Sequence, residues 1–262
     1  TGFGELYSIG GDAPDWKVVA DLRQPYEMGT VPKGVQALIC GVDVQKNRLV
    51  YVVRGFGYNY ESWLIEHGEL WGETAHDTVW DDLATLISSK WDGVALSKVL
   101  VDSGYNPSEK TSKTHKVYDF CRKYPGFAIP TKGKDSLSKP YFFSKIEDAK
   151  KRKMHLLHLD SDHFKSWVYA RYEWPEDQPG RFHLSQDTTD DYCMQVTAEA
   201  RAVSKSGRVM WIKLRKDNHY LDCEQLCAAG AHLLQVHRFL PLKEDGTVQT
   251  PTRKVRRVRS AG

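Results

Sequence analysis

The sequence has few cysteines, and they are not spaced like metal ligands. Its five cysteines are scattered, and only Cys223 and Cys227 lie four residues apart on one predicted helix, without a second such pair. We therefore expect reduced, structural thiols and no zinc site. No run approaches the roughly 18 apolar residues of a membrane helix, and no signal-peptide pattern opens the chain. These absences predict an intracellular protein without membrane contact.

Neither sign of charge dominates the chain, whose formal net charge is +3. The exception is residues 253–259, which carry five positive charges in seven positions. Two interpretations of this segment fit equally well: a solvated, mobile tail, or a segment that contacts phosphate or an acidic partner.

The hydrophobic pattern divides the chain into three parts. Residues 1–36 show no sustained periodicity and contain three prolines, which predicts a linker or an arm packed on the domain surface. Residues 37–240 are predicted to form the folded domain, and residues 241–262 a basic C-terminal tail.

The folded domain begins with a pattern typical of an α/β protein. Residues 37–44 are a continuous apolar run with one acid near its end, and residues 49–56 and 61–70 follow after short turns, which predicts a three-stranded antiparallel meander. A helix at 78–91 and a second apolar run at 98–102 come next. Because the chain crosses over through a helix, the first and fourth strands can be parallel neighbours with their C-terminal ends at one sheet edge.

The remaining pattern is less regular. Residues 135–215 are predicted to be a β-rich insertion, and the domain ends with an apolar helix. The predicted elements are a helix at 108–123, strands at 126–129, 154–159, 181–184 and 208–214, a helical piece near 189–203, and the closing helix at 218–239.

Asp43 and Asp102 each end a buried apolar run. A carboxylate there is unfavourable unless it is hydrogen-bonded, paired or bound to a cation, and neither strand supplies an adjacent Lys or Arg. Two anions on neighbouring strand ends repel each other, and a divalent cation would relieve that repulsion. The alternative is that each acid accepts backbone N–H groups in a turn.

Asp222 lies in the first turns of the closing helix, where it can simply complement the helix dipole, and Asn218 can be a helix cap. Three acids in this order nevertheless suit phosphodiester hydrolysis. Two Mg²⁺ or Mn²⁺ ions about 3.5–4 Å apart would activate a water, neutralise the phosphate and stabilise the leaving oxygen. Such hard cations prefer oxygen ligands.

Six segments of the chain stand out as a set: GVDVQKNRL (41–49), VDSGY (101–105), VYDFC (117–121), PTKGK (130–134), QVTAEA (195–200) and NHYLDC (218–223). Together they resemble the nuclease region of lambda-type terminase large subunits, over about 32–240. The resemblance implies a ribonuclease-H-like domain that cuts concatemeric double-stranded viral DNA in the host cytoplasm, with Asp43, Asp102 and Asp222 as catalytic ligands of two Mg²⁺ or Mn²⁺. It implies the terminase small subunit as a partner and the basic tail as the portal-docking segment.

Two features depart from the full family pattern. Family members carry an ATPase domain, yet this chain has no GxxxxGK[ST] phosphate loop. We therefore expect a nuclease domain separated from its ATPase and unable to pump DNA by itself. Some enzymes of this fold use a further acid on the helix after the third strand, but Asp77, Asp81 and Asp82 are predicted to lie on the surface, which leaves three carboxylates.

Four basic residues are candidate DNA contacts. Lys132 and Lys134 lie in a glycine-containing loop and could hold phosphate, although they could equally be solvated loop lysines. Lys165 and Arg171 lie among aromatic residues and suggest a DNA-facing surface, against the alternative that the aromatics pack within a strand.

Two further residues are candidate supports for the acids. His219 could tune Asp222 or shuttle a proton, with solvent exposure as the alternative. Glu199, predicted to lie on a helix, could be a supporting ligand or a surface residue.

Two other functions remain open on the sequence. A transposase or resolvase of the same fold would share the acids but predicts cleavage of defined DNA structures or strand transfer. A non-catalytic module that docks on portal or DNA predicts that the acids are structural.

Overall fold

The computed structural model describes residues 13–105, 115–147, 151–204, 207, 209–243 and 246–249. The basic segment 253–259 lies outside the described residues. The strands are β1 Arg23–Gln24, β2 Ala37–Val44, β3 Arg48–Phe56, β4 Ser62–Trp71, β5 Lys90–Trp91, β6 Val94–Asp102, β7 Ala128–Lys134, β8 Tyr141–Glu147, β9 Lys153–Asp160, β10 Phe182–Ser185, β11 Glu199–Val203 and β12 Val209–Lys213. The helices are α1 Trp16–Ala20, α2 Thr78–Ser88, α3 Lys116–Lys123, α4 Ser161–Tyr172, α5 Asp190–Val196 and α6 His219–Leu233.

Within the described residues, ten strands form one mixed sheet. Its order is β1-β10-β4-β3-β2-β6-β7-β9-β8, and β5 pairs with β6. The β2–β3–β4 meander is antiparallel, and β2, β6 and β7 run parallel to one another. This confirms the predicted mixed α/β sheet flanked by helices, including the parallel contact between β2, the first strand of the meander, and β6.

Alternation of side chains along the central strands buries both faces of the sheet. Leu38, Cys40 and Val42 pack into a core with residues of α2 and α3, whereas Ile39 packs into a second core with α4, α5 and α6. Strands covered on both faces appear in the sequence as continuous apolar runs, which is why β2 was predictable.

The predicted β-rich insertion at 135–215 is wrong in its main feature. Strands β8 and β9 extend the central sheet beyond β7, and β10 joins its other side next to β4. Residues 161–172 form a helix, because Phe164, Val168 and Tyr172 recur every four residues on a buried face. In the part of the chain that the structure describes, only β11 and β12 form a separate two-stranded sheet.

The predicted helix near 189–203 is two elements. Helix α5 ends at Val196, and the next residue, Thr197, bonds the carbonyl of Cys193 through its hydroxyl. Strand β11 then begins at Glu199, which therefore lies on a strand and not on a helix as predicted.

The first described residues pack onto the edge of the sheet. Strand β1 pairs in parallel with β10, and Val19 of α1 is fully buried in the core. No helix in the described ranges is long and apolar enough to cross a membrane.

Candidate metal centre

The three predicted acids line one pocket of about 150 Å³ at the sheet edge. Val42 of β2 pairs with Val101 of β6, so Asp43 and Asp102 are the next residues on adjacent parallel strand ends. Side chains alternate along a strand, and the positions two residues before Asp43 and Asp102 face α6. The two acids therefore lie on the side of the sheet that α6 covers, and α6 carries Asp222 in its first turn. The remaining lining residues are Gly133, Ser161, Lys165, Gln225 and Leu226.

Close packing of α6 on β2 brings Asp222 to the strand ends. A Cβ atom at Gly41 would overlap the carbonyl oxygen of Cys223. A Cβ atom at Gly230, two turns further along α6, would meet Ile39 at 2.6 Å. Because glycine lacks this atom at both positions, the helix backbone can lie directly against the sheet.

The acids raise one another's proton affinity. Burial raises the pKa of Asp102 to about 7, and the negative charges of Asp43 and Asp222 add to the effect. Burial also raises the pKa of Asp222; the charge of Lys165 opposes this effect, and the charges of Asp43 and Glu199 add to it. A pocket in which carboxylates resist ionisation together is one that a divalent cation would stabilise.

Asp43 is buried and held by two side chains. Its Oδ2 atom accepts a hydrogen bond from Gln45 Nε2 at 2.8 Å and lies 2.7 Å from His219 Nδ1. The expectations for His219 need correction: its side chain is 12% exposed, and it contacts Asp43 instead of Asp222. Since α6 begins at His219, its side chain reaches back to the end of β2.

Lys165 also departs from its predicted role on a DNA-facing surface. It is 7% exposed, and its ammonium group lies 2.8 Å from Glu199 Oε2 and 2.9 Å from Asp222 Oδ1. Burial alone lowers the pKa of Lys165, but the two carboxylates raise it above its usual value. Glu199 is likewise buried instead of lying on the surface, and it accepts hydrogen bonds from Lys165 and Asn218.

The other DNA-contact candidates divide into one buried and two exposed residues. Arg171 is 8% exposed, donates to the carbonyl of Gly180 and stacks 3.9 Å from the Trp174 ring, so it serves packing. Lys132 and Lys134 are exposed at the C-terminal end of β7, the strand that supplies Gly133 to the pocket. Asp77, Asp81 and Asp82 are exposed, as predicted.

The donor set fits a hard divalent cation. Across the described ranges, no three His, Cys, Asp or Glu side chains are already arranged as the ligands of a metal ion. The reason is visible in the contacts, because Lys165 and Asn218 engage the oxygens of Asp222, and His219 and Gln45 engage Asp43. Carboxylate oxygens at one sheet edge are nevertheless the ligands that Mg²⁺ and Mn²⁺ prefer.

Comparison with known proteins settles the family. The family model of the terminase large subunit gpA endonuclease domain matches residues 1–243. This chain belongs to that family. The terminase large subunit of Escherichia phage lambda is 27% identical over 232 residues, which cover 81% of this chain and 34% of that protein. The chain thus spans about a third of the length of this curated relative.

Two solved terminase nucleases are similar to this chain in fold. The large terminase nuclease of thermophilic phage G20c with bound magnesium is 11% identical at a TM-score of 0.47, and the match covers 80% of this chain and 94% of that one. A mutant nuclease domain of the large terminase subunit gp2 of bacterial virus Sf6 with manganese is 13% identical at 0.47, covering 75% and 89%. The match to the endonuclease-domain family model confirms the resemblance to terminase large subunits that the sequence motifs carried.

Local sequence pattern does not indicate how the acids of this terminase domain are held. It names no partner for Asp43, predicts a DNA-facing surface for Lys165 and leaves Glu199 as a supporting ligand or a surface residue. One signal was present: Asn218 and Asp222 are four residues apart, which puts them on one helical face. The contact between Lys165 and Glu199 joins segments 34 residues apart, and local pattern does not encode it.

Proposed function

We propose that this terminase nuclease domain cuts double-stranded DNA by metal-dependent phosphodiester hydrolysis, with two Mg²⁺ or Mn²⁺ ions held by Asp43, Asp102 and Asp222. The observation that carries the proposal is the pocket in which these three carboxylates meet and in which burial and mutual repulsion raise the pKa of Asp102 to about 7. A protein retains such an unfavourable cluster when a bound cation compensates for it.

The residues of the chain have distinct tasks in this reaction. When bound, the divalent ions lower the pKa of the attacking water and neutralise charge on the phosphate and the leaving oxygen. Gln45 and His219 fix the orientation of Asp43, and Asp102 must lose its proton before it can act as a ligand. Lys132 and Lys134, exposed beside the pocket, would contact the DNA backbone.

Membership of the terminase family supports the biological setting that we propose for this activity. The substrate would be concatemeric viral DNA in the host cytoplasm, and the terminase small subunit would select the cutting site. The ATPase domain would lie in the rest of the large subunit, and the tail at 253–259 would dock on the portal. Residues 37–240 would form the nuclease unit, with 1–36 as an N-terminal arm.

A plasmid-nicking assay tests the catalytic assignment. The chain is incubated with supercoiled plasmid and Mn²⁺, beside Asp102→Asn and the control Asp81→Asn, which makes the same chemical change on the exposed face of α2. We expect nicking by the wild type and by Asp81→Asn, and none by Asp102→Asn. Equal nicking by all three proteins, or none by the wild type, would count against the proposal.

A further inference from the structure

One wall of the carboxylate pocket contains a closed ring of four polar side chains. The ammonium group of Lys165 lies 2.8 Å from Glu199 Oε2 and 2.9 Å from Asp222 Oδ1. The amide nitrogen of Asn218 donates to the other oxygen of each acid, at 2.6 Å to Glu199 and 3.0 Å to Asp222. Both oxygens of both carboxylates are therefore engaged, which fixes the orientation of Asp222.

The ring is buried and anchored from outside. Lys165, Glu199 and Asn218 are 7%, 4% and 2% exposed, whereas the Asp222 side chain is 34% exposed and opens to the pocket. Lys213 donates to the side-chain oxygen Oδ1 of Asn218, so both polar atoms of the Asn218 side-chain amide have partners. Because α4, β11 and α6 each contribute a side chain, the ring is formed by the packing of these three elements and not by a chance contact of surface side chains.

The charges in the ring do not cancel. One ammonium group faces two carboxylates, so the ring carries a net charge of −1. If Lys165 faced Asp222 alone, the pair would be neutral and the ammonium group would compete with any cation for Asp222. The ammonium group lies almost equally close to Glu199 and Asp222, at 2.8 and 2.9 Å, so it can compensate only one of their two negative charges, and Asp222 is the acid that opens to the pocket.

We propose that Glu199 and Lys165 are positioning residues that set the divalent-cation affinity of the pocket: Glu199 holds Lys165 so that Asp222 is oriented and still negatively charged. Glu199 on this account contacts the lysine and not the metal. The inference rests on the proposed function, because it concerns the cation that Asp222 would bind.

Two single variants should shift Mn²⁺ affinity in opposite directions. Glu199→Gln keeps the shape, removes one negative charge and leaves Lys165 to Asp222, so Mn²⁺ binding should weaken by roughly tenfold or more. Lys165→Met removes the competing positive charge, so Mn²⁺ binding should tighten. Its kcat should nevertheless fall, because Asp222 loses a partner that orients it. A merely structural role would not give opposite shifts.

The double variant keeps the test decisive if Lys165→Met does not fold. Lys165→Met combined with Glu199→Gln restores the net charge of the ring and leaves no buried ion unpaired, a change that proteins often tolerate. Adding Lys165→Met to Glu199→Gln should therefore return Mn²⁺ affinity toward the wild-type value. Glu173→Gln, exposed at the end of α4, is the control that should change nothing.

Mn²⁺ binding is measured on the whole chain from the electron paramagnetic resonance signal of free Mn²⁺, with plasmid nicking followed in parallel against Mn²⁺ concentration. Opposite shifts in the single variants, with recovery in the double variant, support the inference. Shifts in the same direction, or unchanged affinity in both, overturn it even when Asp102→Asn abolishes binding. Absence of Mn²⁺ binding by the wild type overturns the proposed function and this inference with it.

Discussion

Two acids lie two residues apart on α6 and have opposite surroundings. Glu224 points into the core, where Arg54 binds both of its oxygens at 2.6 and 2.8 Å and Tyr192 donates a further hydrogen bond. Asp222 points to the sheet edge, shares the Lys165 ammonium group with Glu199 and faces two other carboxylates. One acid is matched by a dedicated positive charge, and the other is not.

The difference teaches how one helix serves both folding and function. The Arg54–Glu224 pair is 1% exposed at both side chains, and a Phe182 ring covers the guanidinium at 3.5 Å. Such a pair needs nothing from outside the protein. The edge with Asp43, Asp102 and Asp222 keeps an excess of negative charge, which is the property that a cation-dependent active site requires.

The largest expected effect comes from breaking the matched pair. Arg54→Met leaves Glu224 buried without its counter-ion and should lower the free energy of unfolding by about 3–5 kcal/mol. Urea denaturation measures this change in the free energy of unfolding. Asp190→Asn, which breaks the exposed pair with Arg23, is the matched control and should change stability by about 1 kcal/mol or less. Similar losses in both variants would contradict the contrast between a buried and an exposed pair.

The negative charge that is not compensated at the carboxylate edge should make the free energy of unfolding depend on pH. Because the folded-state pKa of Asp102 is raised to about 7, the folded chain keeps a proton between pH 4 and 7 that the unfolded chain releases. This group therefore makes stability fall as pH rises through that window, by up to about 4 kcal/mol. Unfolding in the presence of a chelator should show a flatter pH profile for Asp102→Asn than for the wild type; parallel profiles would argue against the raised pKa.

A third change affects both regions at once. Gly41→Ala pushes against the backbone of α6 and should lower stability by about 1–3 kcal/mol. It should also reduce nicking more than this loss of folded protein explains, since Asp222 moves relative to Asp43. Thermal melts and nicking rates are compared for Gly41→Ala and Gly93→Ala. Gly93 has a φ of +81°, so its alanine variant also loses stability, but it lies just before β6, at the end of that strand opposite Asp102, and does not move the acids. Full activity in Gly41→Ala would show that the close helix–strand contact does not position the acids.

The smallest effect is expected at His219. His219→Gln can still donate a hydrogen bond to Asp43, so stability should change by about 1 kcal/mol or less. Nicking should persist at a reduced rate, because Gln45 still donates a hydrogen bond to Asp43. A complete loss of nicking with an intact fold would show that His219 does more than hold Asp43.

The sequence predicted the parts of the fold and site that local pattern encodes. Strand β2 and the C-terminal part of β6 were predictable because they are buried on both faces, and an acid at the end of an apolar run marked Asp43 and Asp102. Helix α4 was missed because its aromatic residues, including Trp167 and Tyr169, also suit strands.

The partners of the acids were not predictable in the same way. Lys165 meets Glu199, and His219 meets Asp43, only after distant segments pack together. Arg54, a charged residue inside an apolar strand, was a signal that a buried partner must exist, but nothing local named Glu224.

The most direct test of the central claim is anomalous diffraction from crystals of the chain soaked in Mn²⁺. The account predicts anomalous peaks bounded by Asp43, Asp102 and Asp222, and none beside Glu224, two residues further along α6. Peaks at other sites, or a carboxylate pocket without Mn²⁺ at concentrations that support nicking, would contradict it.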